Sequence, residues 1–285
     1  MKTYLQLLNH VLDKGTLTHN RTGIDTLSVF GYQWRHNMAD GFPLLTTKKM
    51  YVKAIAHELI WFLKGSKYTH YLKQNGITIW DEWAKADGFV GPIYGHQWRR
   101  WSTTAGGEVD QLEKLIVQIK KNPNSRRHLV SAWNVAELDQ MVIPPCHFAF
   151  QCTVADDKLN LHFFMRSADA FLGLPFDIAS YAFLLQILCH QTDLIPGELL
   201  VSITDLHIYT NHLQQVDEQL TREPLPLPIF TWQRKDVRDY DGEILLGKQS
   251  KYSGKDPFAQ YDADELMSCL TNYTFHPSIP APVAV

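Results

Sequence analysis

The chemistry of this chain starts at Ile143-Pro144-Pro145-Cys146-His147-Phe148. Two prolines fix two φ angles and remove two backbone donors. The apolar alternation that follows (Phe148, Phe150, Cys152, Val154) reads as a strand. Cys146 therefore sits where a stiff loop enters a sheet, a suitable mount for a nucleophilic thiol. A buried, inert cysteine fits the same stretch. His147 adjoins it, but neighbours on a strand point to opposite faces, which argues against a Cys–His nucleophile pair. Arginine recurs beside a hydroxyl at Ser125-Arg126-Arg127 and at Arg166-Ser167, and Arg21 precedes Thr22-Gly23. A planar guanidinium suits a phosphate dianion, and a solvated basic turn is the plainer alternative. Glu58 lies among Leu59, Ile60, Trp61 and Phe62. Burial there would raise its pKa and suit it to proton transfer; the polar edge of an amphipathic helix is the other reading. His207 and Tyr209 alternate on one strand and could hydrogen-bond a sugar hydroxyl, or be ordinary strand residues.

The elements that must hold these residues follow from apolar spacing. Tyr4, Leu7, Leu8, Val11 and Leu12 mark a helix stopped by Gly15. Val52, Ile55, Leu59, Phe62 and Leu63 mark a second, ended near Gly65. Leu112, Leu115, Ile116 and Ile119 mark a third, closed by Asn122-Pro123. Residues 26–34 read as a strand with Gly31 as a bulge. Further strands are expected over 128–133, 148–154, 159–165 and 199–209. Residues 178–190, apolar nearly all round, predict a buried helix. Residues 240–275 read as polar and irregular, with turns at Tyr240-Asp241-Gly242 and Ser253-Gly254. The apolar tail, Pro280 to Val285, is expected to dock. The mixed order gives an α+β class. One large mixed sheet is covered by helices on one face, and the other face, expected to be apolar, is used for homodimerisation.

The bulk numbers exclude several classes. The 285 residues carry 45% hydrophobic and 20% charged side chains with a net charge of −3. That balance makes no case for DNA or an acidic membrane as partner. No Gly/Ser-rich linker divides the chain, so 1–285 reads as a single domain. The run 181–189 is too short to span a bilayer. Four cysteines without a CxxC suggest neither a disulfide framework nor a metal site, and point to a reducing, cytoplasmic setting.

Taken together, the motifs resemble the thymidylate synthase superfamily over nearly the whole chain. They include Asn20-Arg21-Thr22-Gly23, His57-Glu58-Leu59, Ile79-Trp80-Asp81-Glu82-Trp83, Gly91-Pro92-Ile93-Tyr94-Gly95, Ser125-Arg126-Arg127, Pro145-Cys146-His147, Arg166-Ser167-Ala168-Asp169, Asp205-Leu206-His207-Ile208-Tyr209 and the tail from Ala281 to Val285. The resemblance implies a pyrimidine deoxynucleotide 5′-monophosphate substrate and 5,10-methylenetetrahydrofolate as co-substrate, with no metal. It implies that Cys146 adds to C6 of the ring, so that C5 becomes enolate-like. It implies proton transfer through Glu58 with Tyr94 nearby. Arg166 would hold the phosphate and lower the thiol pKa. Arg21 and Ser167 would share the phosphate, and Arg126 and Arg127 would reach it from the partner of a homodimer. His207 and Tyr209 would contact the sugar. Asp169 and Trp80 would meet the pterin, with Val285 closing over it.

Two positions depart from the family's pattern. Asp177 stands where an asparagine is expected after Pro175-Phe176, and Ser202-Ile203-Thr204 replaces the usual paired glycines before Asp205. An amide donates to uracil O4 and accepts from N3–H, whereas an ionised carboxylate only accepts. Asp177 therefore suits dCMP and resembles the deoxycytidylate-modifying branch, the methylases and hydroxymethylases. An Asp177 that keeps its proton would mimic asparagine and leave an ordinary thymidylate synthase. The product is methyl if the exocyclic methylene takes hydride, and hydroxymethyl if it takes water. Trp80 and the tail, as shields against water, favour methyl; relatives with Asp at this position favour hydroxymethyl. A non-catalytic nucleotide- or RNA-binding homologue is a third reading. Retention of Cys146, Glu58, Arg166 and the tail together argues against it.

Overall fold

The computed structural model describes residues 1–232 and 256–283. The helices are α1 (Lys2–Lys14), α2 (Val52–Leu63), α3 (His70–Gln74), α4 (Gly95–Arg99), α5 (Gln111–Lys121), α6 (Gly173–Thr192), α7 (Leu213–Leu220) and α8 (Ala263–Ser268). The strands are β1 (Thr16–Thr18), β2 (Thr26–Asn37), β3 (Trp101–Ser102), β4 (Glu108–Val109), β5 (Leu129–Ser131), β6 (His147–Ala155), β7 (Lys158–Asp169), β8 (Ile195–Tyr209), β9 (Ile229–Phe230) and β10 (Leu270–Thr271). The main sheet has six strands in the order β1-β2-β8-β7-β6-β5. Only β7 and β8 in it are parallel; the other pairs are antiparallel. A parallel pair needs a long crossover, and α6 supplies it.

Burial alternates along the strands as a one-sided cover demands. Leu159, Leu161, Phe163 and Met165 of β7, with Leu199, Val201 and Ile203 of β8, are buried. They face the helical side, where α6 packs on both strands. The opposite face differs from the expected apolar surface. It is mixed, with Phe164 and Leu200 on the same face as the polar pairs Arg35 with Glu198 at 2.8 Å, His162 with Ser202 at 2.8 Å and Gln33 with Ser202 at 2.8 Å. Helix α6 is 20 residues long and apolar enough to cross a membrane by length and composition, longer than its central apolar run indicates. Of its apolar 18-residue stretch, 78% is buried inside the fold, so the sheet and helices use its apolarity.

Two further expectations change. Gly31 adopts φ +78, yet Phe30 pairs with Asp205 and Tyr32 with Ile203 in one register, so no residue is inserted. The stretch read as irregular to residue 275 contains α8, capped by Asp262, whose side chain accepts from Glu265 N, and β10. Six residues, half of them polar, give too short a period to read as a helix. The turns expected at 240–242 and 253–254 lie outside the described residues. The approach to the tail is anchored, and among the described tail residues Ala281 is half-buried while Pro280, Pro282 and Val283 are exposed. Ile279 is 7% exposed, His276 N donates to Thr46 O at 2.8 Å, and Pro282 O accepts from buried His212 at 2.7 Å.

Candidate active site

The carboxyl ends of the parallel pair make one wall of the site. Ser167 lies in register with Asp205, and Asp169 with His207. Arg166 leaves the same end of β7. Its Nε donates to Pro145 O at 3.0 Å and its Nη2 to Pro144 O at 2.8 Å. The carbonyls of the two prolines thus hold a guanidinium beside the next residue, and Nη2 reaches Cys146 Sγ at 3.6 Å. The backbone closes this corner too, with Arg166 N donating to Cys146 O at 2.9 Å. Arg21, in the β1–β2 connection, lies close enough to act on both Cys146 and Tyr209. His207 and Tyr209 meet edge to face, with ring centroids 5.1 Å apart. Asp205 accepts from the Ser28 hydroxyl. His207 and Ser28 hold its carboxyl below the usual range against the effect of burial.

The other wall comes from the helical layer. Glu58, on α2, accepts from Trp80 Nε1 at 2.6 Å. Burial raises its pKa to about 7, against the opposing effect of that bond. Tyr94 precedes α4 with φ 32, a left-handed backbone rare for a bulky residue. The close approach that keeps it there depends on Gly95, where a Cβ would collide with the Phe62 backbone of α2. The Tyr94 hydroxyl accepts from Cys146 N at 2.9 Å. Asp177, in the first turns of α6, has a side chain 20% exposed and lies 3.7 Å from His147 Nε2. Burial raises its pKa well above the usual range, and Glu58 and Asp169 add to the effect.

His147 packs face to face on Tyr94, with centroids 4.1 Å apart, and its Nδ1 is 3.0 Å from the Tyr181 hydroxyl. Burial lowers its pKa to about 3, so its ring is neutral at pH 7. It is therefore no acid for Cys146, as the strand alternation argued. It does belong to the wall around Asp177, a place that sequence spacing could not reveal.

The thiol corrects one expectation. Arg166 lowers the Cys146 pKa, with Tyr94 and Arg21, but burial outweighs them and Asp177 opposes them, so the net shift is upward. Desolvation of a thiolate is costlier here than one nearby cation can offset.

Asp169 sits at the end of β7 and caps the next turn, accepting from Phe171 N at 2.9 Å and Leu172 N at 3.2 Å. Beside it is Lys48, which the sequence reading does not single out. Its Nζ donates to Phe171 O at 2.5 Å and lies 3.5 Å from the Phe171 ring centroid. Burial lowers its pKa to about 7, and Asp169 resists that. Trp80 lines the Glu58 side, 8% exposed.

Arg126 and Arg127 are not brought into this group within one chain. They precede β5 at the edge of the sheet; Arg126 O accepts from Gln151 Nε2 at 3.0 Å and Arg127 N donates to Ser125 Oγ at 3.2 Å. Val285 lies outside the described residues. Among the described residues no cluster of three His, Cys, Asp or Glu side chains is placed to hold a metal ion.

A thiol with a guanidinium at its sulfur, carboxyl groups of raised pKa across from it and a histidine–tyrosine pair beside it can add covalently to an electron-poor ring and then move protons on it. The family model described as thymidylate synthase matches residues 2–285. The chain thus belongs to the thymidylate synthase family, whose enzymes transfer one carbon from methylenetetrahydrofolate to C5 of a pyrimidine nucleotide.

Proposed function

We propose that the enzyme acts on dCMP, and the observation that carries this reading is Asp177 beside Cys146 in the buried wall. A carboxyl group and cytosine stay matched with a shared proton on either partner. On the carboxyl, O–H donates to N3 while C=O accepts from the N4 amino group. On N3, the carboxylate accepts from both. Uracil is matched only while Asp177 keeps its proton, since N3–H and O4 then need one acceptor and one donor. Buried mismatches are rejected strongly. The proton drawn toward N3 also makes C6 more electrophilic as Cys146 Sγ bonds to it.

The remaining roles are those the resemblance implies. Arg166 steadies the thiolate and, with Arg21 and Ser167, takes the phosphate. His207 and Tyr209 take the sugar hydroxyl. Glu58, with a pKa near neutrality, passes protons at C5 and its substituent, while Tyr94 holds the Cys146 backbone. Asp169 and Trp80 face the pterin. The folate supplies the one-carbon unit, and Val285 closes the tail over it. Arg126 and Arg127 come from the second subunit of a homodimer, whose uncovered sheet faces meet. One core spanning Tyr4 to Ile279 supports a single domain over 1–285, and four free cysteines fit a reducing, cytoplasmic setting.

A second reading, an ordinary thymidylate synthase acting on dUMP, is favoured by the raised pKa of Asp177. A neutral carboxyl offers one donor and one acceptor, as asparagine does. Mass spectrometry of the product from dCMP and dUMP offered together decides between them. A methylated or hydroxymethylated dCMP is expected, and an equal or larger kcat/KM for dUMP overturns the proposal. Dihydrofolate formation marks the methyl product, because only hydride transfer oxidises the folate.

A further inference from the structure

The strand end that carries the His207–Tyr209 pair also carries a carboxylate that no step above uses. Asp205 and His207 lie two residues apart on β8, so their side chains leave the same face. Ser28 of β2 lies opposite His207 in register, and its hydroxyl crosses diagonally to donate to Asp205 Oδ1. The other carboxylate oxygen, Oδ2, faces His207 Nδ1 at 3.6 Å. That nitrogen is buried and makes no hydrogen bond among the described residues. The ring as a whole keeps 7% exposure, so what it offers to a ligand lies away from Nδ1. The ring is well placed by its surroundings: His207 O accepts from Ala170 N at 2.8 Å, and the imidazole meets Tyr209 edge to face with centroids 5.1 Å apart.

We infer that Asp205 is a positioning residue that fixes the His207 tautomer, with hydrogen on Nδ1, so that Nε2 offers a lone pair and the site demands a sugar hydroxyl that donates to it. A lone pair at Nδ1 would be held, buried, against a carboxylate oxygen, two acceptors in repulsion. An N–H there is attracted by the same oxygen, and which ring nitrogen carries hydrogen is set by what the other faces. His207 first, and then Ser28, hold the Asp205 carboxyl below its usual pKa against the effect of burial, so the oxygen stays ionised at neutral pH. Nε2 of the neutral ring can then only accept. Burial raises the Tyr209 pKa, so its phenol keeps a hydrogen to donate. A sugar hydroxyl gives its one hydrogen to His207 and a lone pair to Tyr209. A bare C–H, an ether or a phosphate ester in its place cannot. The inference rests on the reading that His207 and Tyr209 receive the sugar hydroxyl, and assigns which of them accepts and which donates.

The test compares the Kd of the deoxynucleotide that the enzyme turns over, dCMP or dUMP, with that of its 2′,3′-dideoxy analogue. The unaltered enzyme should favour the hydroxyl-bearing form by about 100-fold, since a site built for a hydroxyl rejects an analogue lacking it. Asp205→Ala should shrink that preference to about tenfold by weakening the deoxynucleotide alone. Equal weakening of both ligands, which general loosening of the fold would produce, or an undiminished preference overturns the inference. Asp205→Asn keeps an acceptor for Nδ1 while its amide N–H meets Ser28 Oγ, so it should recover the preference to within about threefold of the parent. A loss as large as in the alanine variant overturns the inference, because charge and not the acceptor is then at stake. If neither variant folds, 15N spectra of the unaltered enzyme with bound nucleotide decide. A His207 ring with hydrogen on Nδ1 and a lone pair on Nε2 supports the inference; an Nε2–H or doubly protonated ring overturns it. His207→Ala isolates the underlying reading. A preference untouched there, or absent from the unaltered enzyme, removes the sugar assignment, whereas a failure confined to the Asp205 variants removes only the positioning role.

Discussion

The two walls of the site handle the same functional groups in opposite ways. At the strand ends, Arg166 is braced by two proline carbonyls, and the Asp205 carboxyl is held below its usual pKa by His207 and Ser28. Across from them, burial lifts Glu58 to about 7, lifts Asp177 well up and drops His147 to about 3. A carboxyl is a fixed charge on one wall and a proton carrier on the other. Hydrogen-bonded partners decide the first case and desolvation the second. The sulfur of Cys146 sits between them, where burial prevails over the cation.

The sharpest way to break this division is to remove the atom between the walls. Cys146→Ala should lower turnover by at least about 10⁴-fold and abolish the covalent adduct seen by denaturing mass spectrometry. Retained activity would refute the nucleophile. Next is Asp177→Asn, expected to move the ratio of kcat/KM for dCMP over dUMP toward dUMP by about 10³-fold. An unmoved ratio means the base is read elsewhere.

Glu58→Gln tests the buried wall twice. Proton transfer should slow about 10²–10³-fold. Stability should change with a definite sign. The native protein holds the Glu58 proton to about pH 7, whereas the unfolded chain releases it near its ordinary value. The native state therefore binds more protons, and stability conferred at low pH is lost as pH rises through about 7. Urea midpoints should show the variant gaining roughly 3 kcal/mol over the parent between acid and mildly alkaline pH, and a parallel pair of curves would reject the burial argument. The smallest effect is expected on the charged wall. Arg166→Lys keeps a cation but loses the planar fork on Pro144 and Pro145, so kcat/KM should fall about tenfold and the alkylation midpoint of the thiol should rise. A fall in that midpoint would place the control of the thiol elsewhere.

Much of the scaffold is legible in the sequence because it is periodic. The spacing of Tyr4, Leu7, Leu8 and Val11, or of Leu112, Leu115, Ile116 and Ile119, marks helices whose buried faces are those residues. Cys146 and Glu58 were legible by type, one after two prolines and the other among apolar neighbours. Their convergence was not, since it depends on the pairing of distant strands and on the packing of α2 against α4 through Gly95. His147 marks the limit most clearly. Alternation removed it as a partner for the thiol, yet only tertiary contact reveals that the same alternation delivers it to Asp177. The upward shift of Cys146 was illegible for a related reason: motif spacing reveals an arginine, not the desolvation it must overcome.

The single parallel pairing also governs how the molecule is assembled. Ser167 meets Asp205 only after α6 has crossed between their strands, and β8 must also receive β2, with Thr26 opposite Tyr209. Contacts so distant along the chain close late and slowly. Until they close, the residues proposed to hold phosphate and sugar are scattered, and an unfolded chain has no affinity for the nucleotide. The substrate is then also a folding ligand: at about 100 times its Kd it should add about 2.7 kcal/mol to stability.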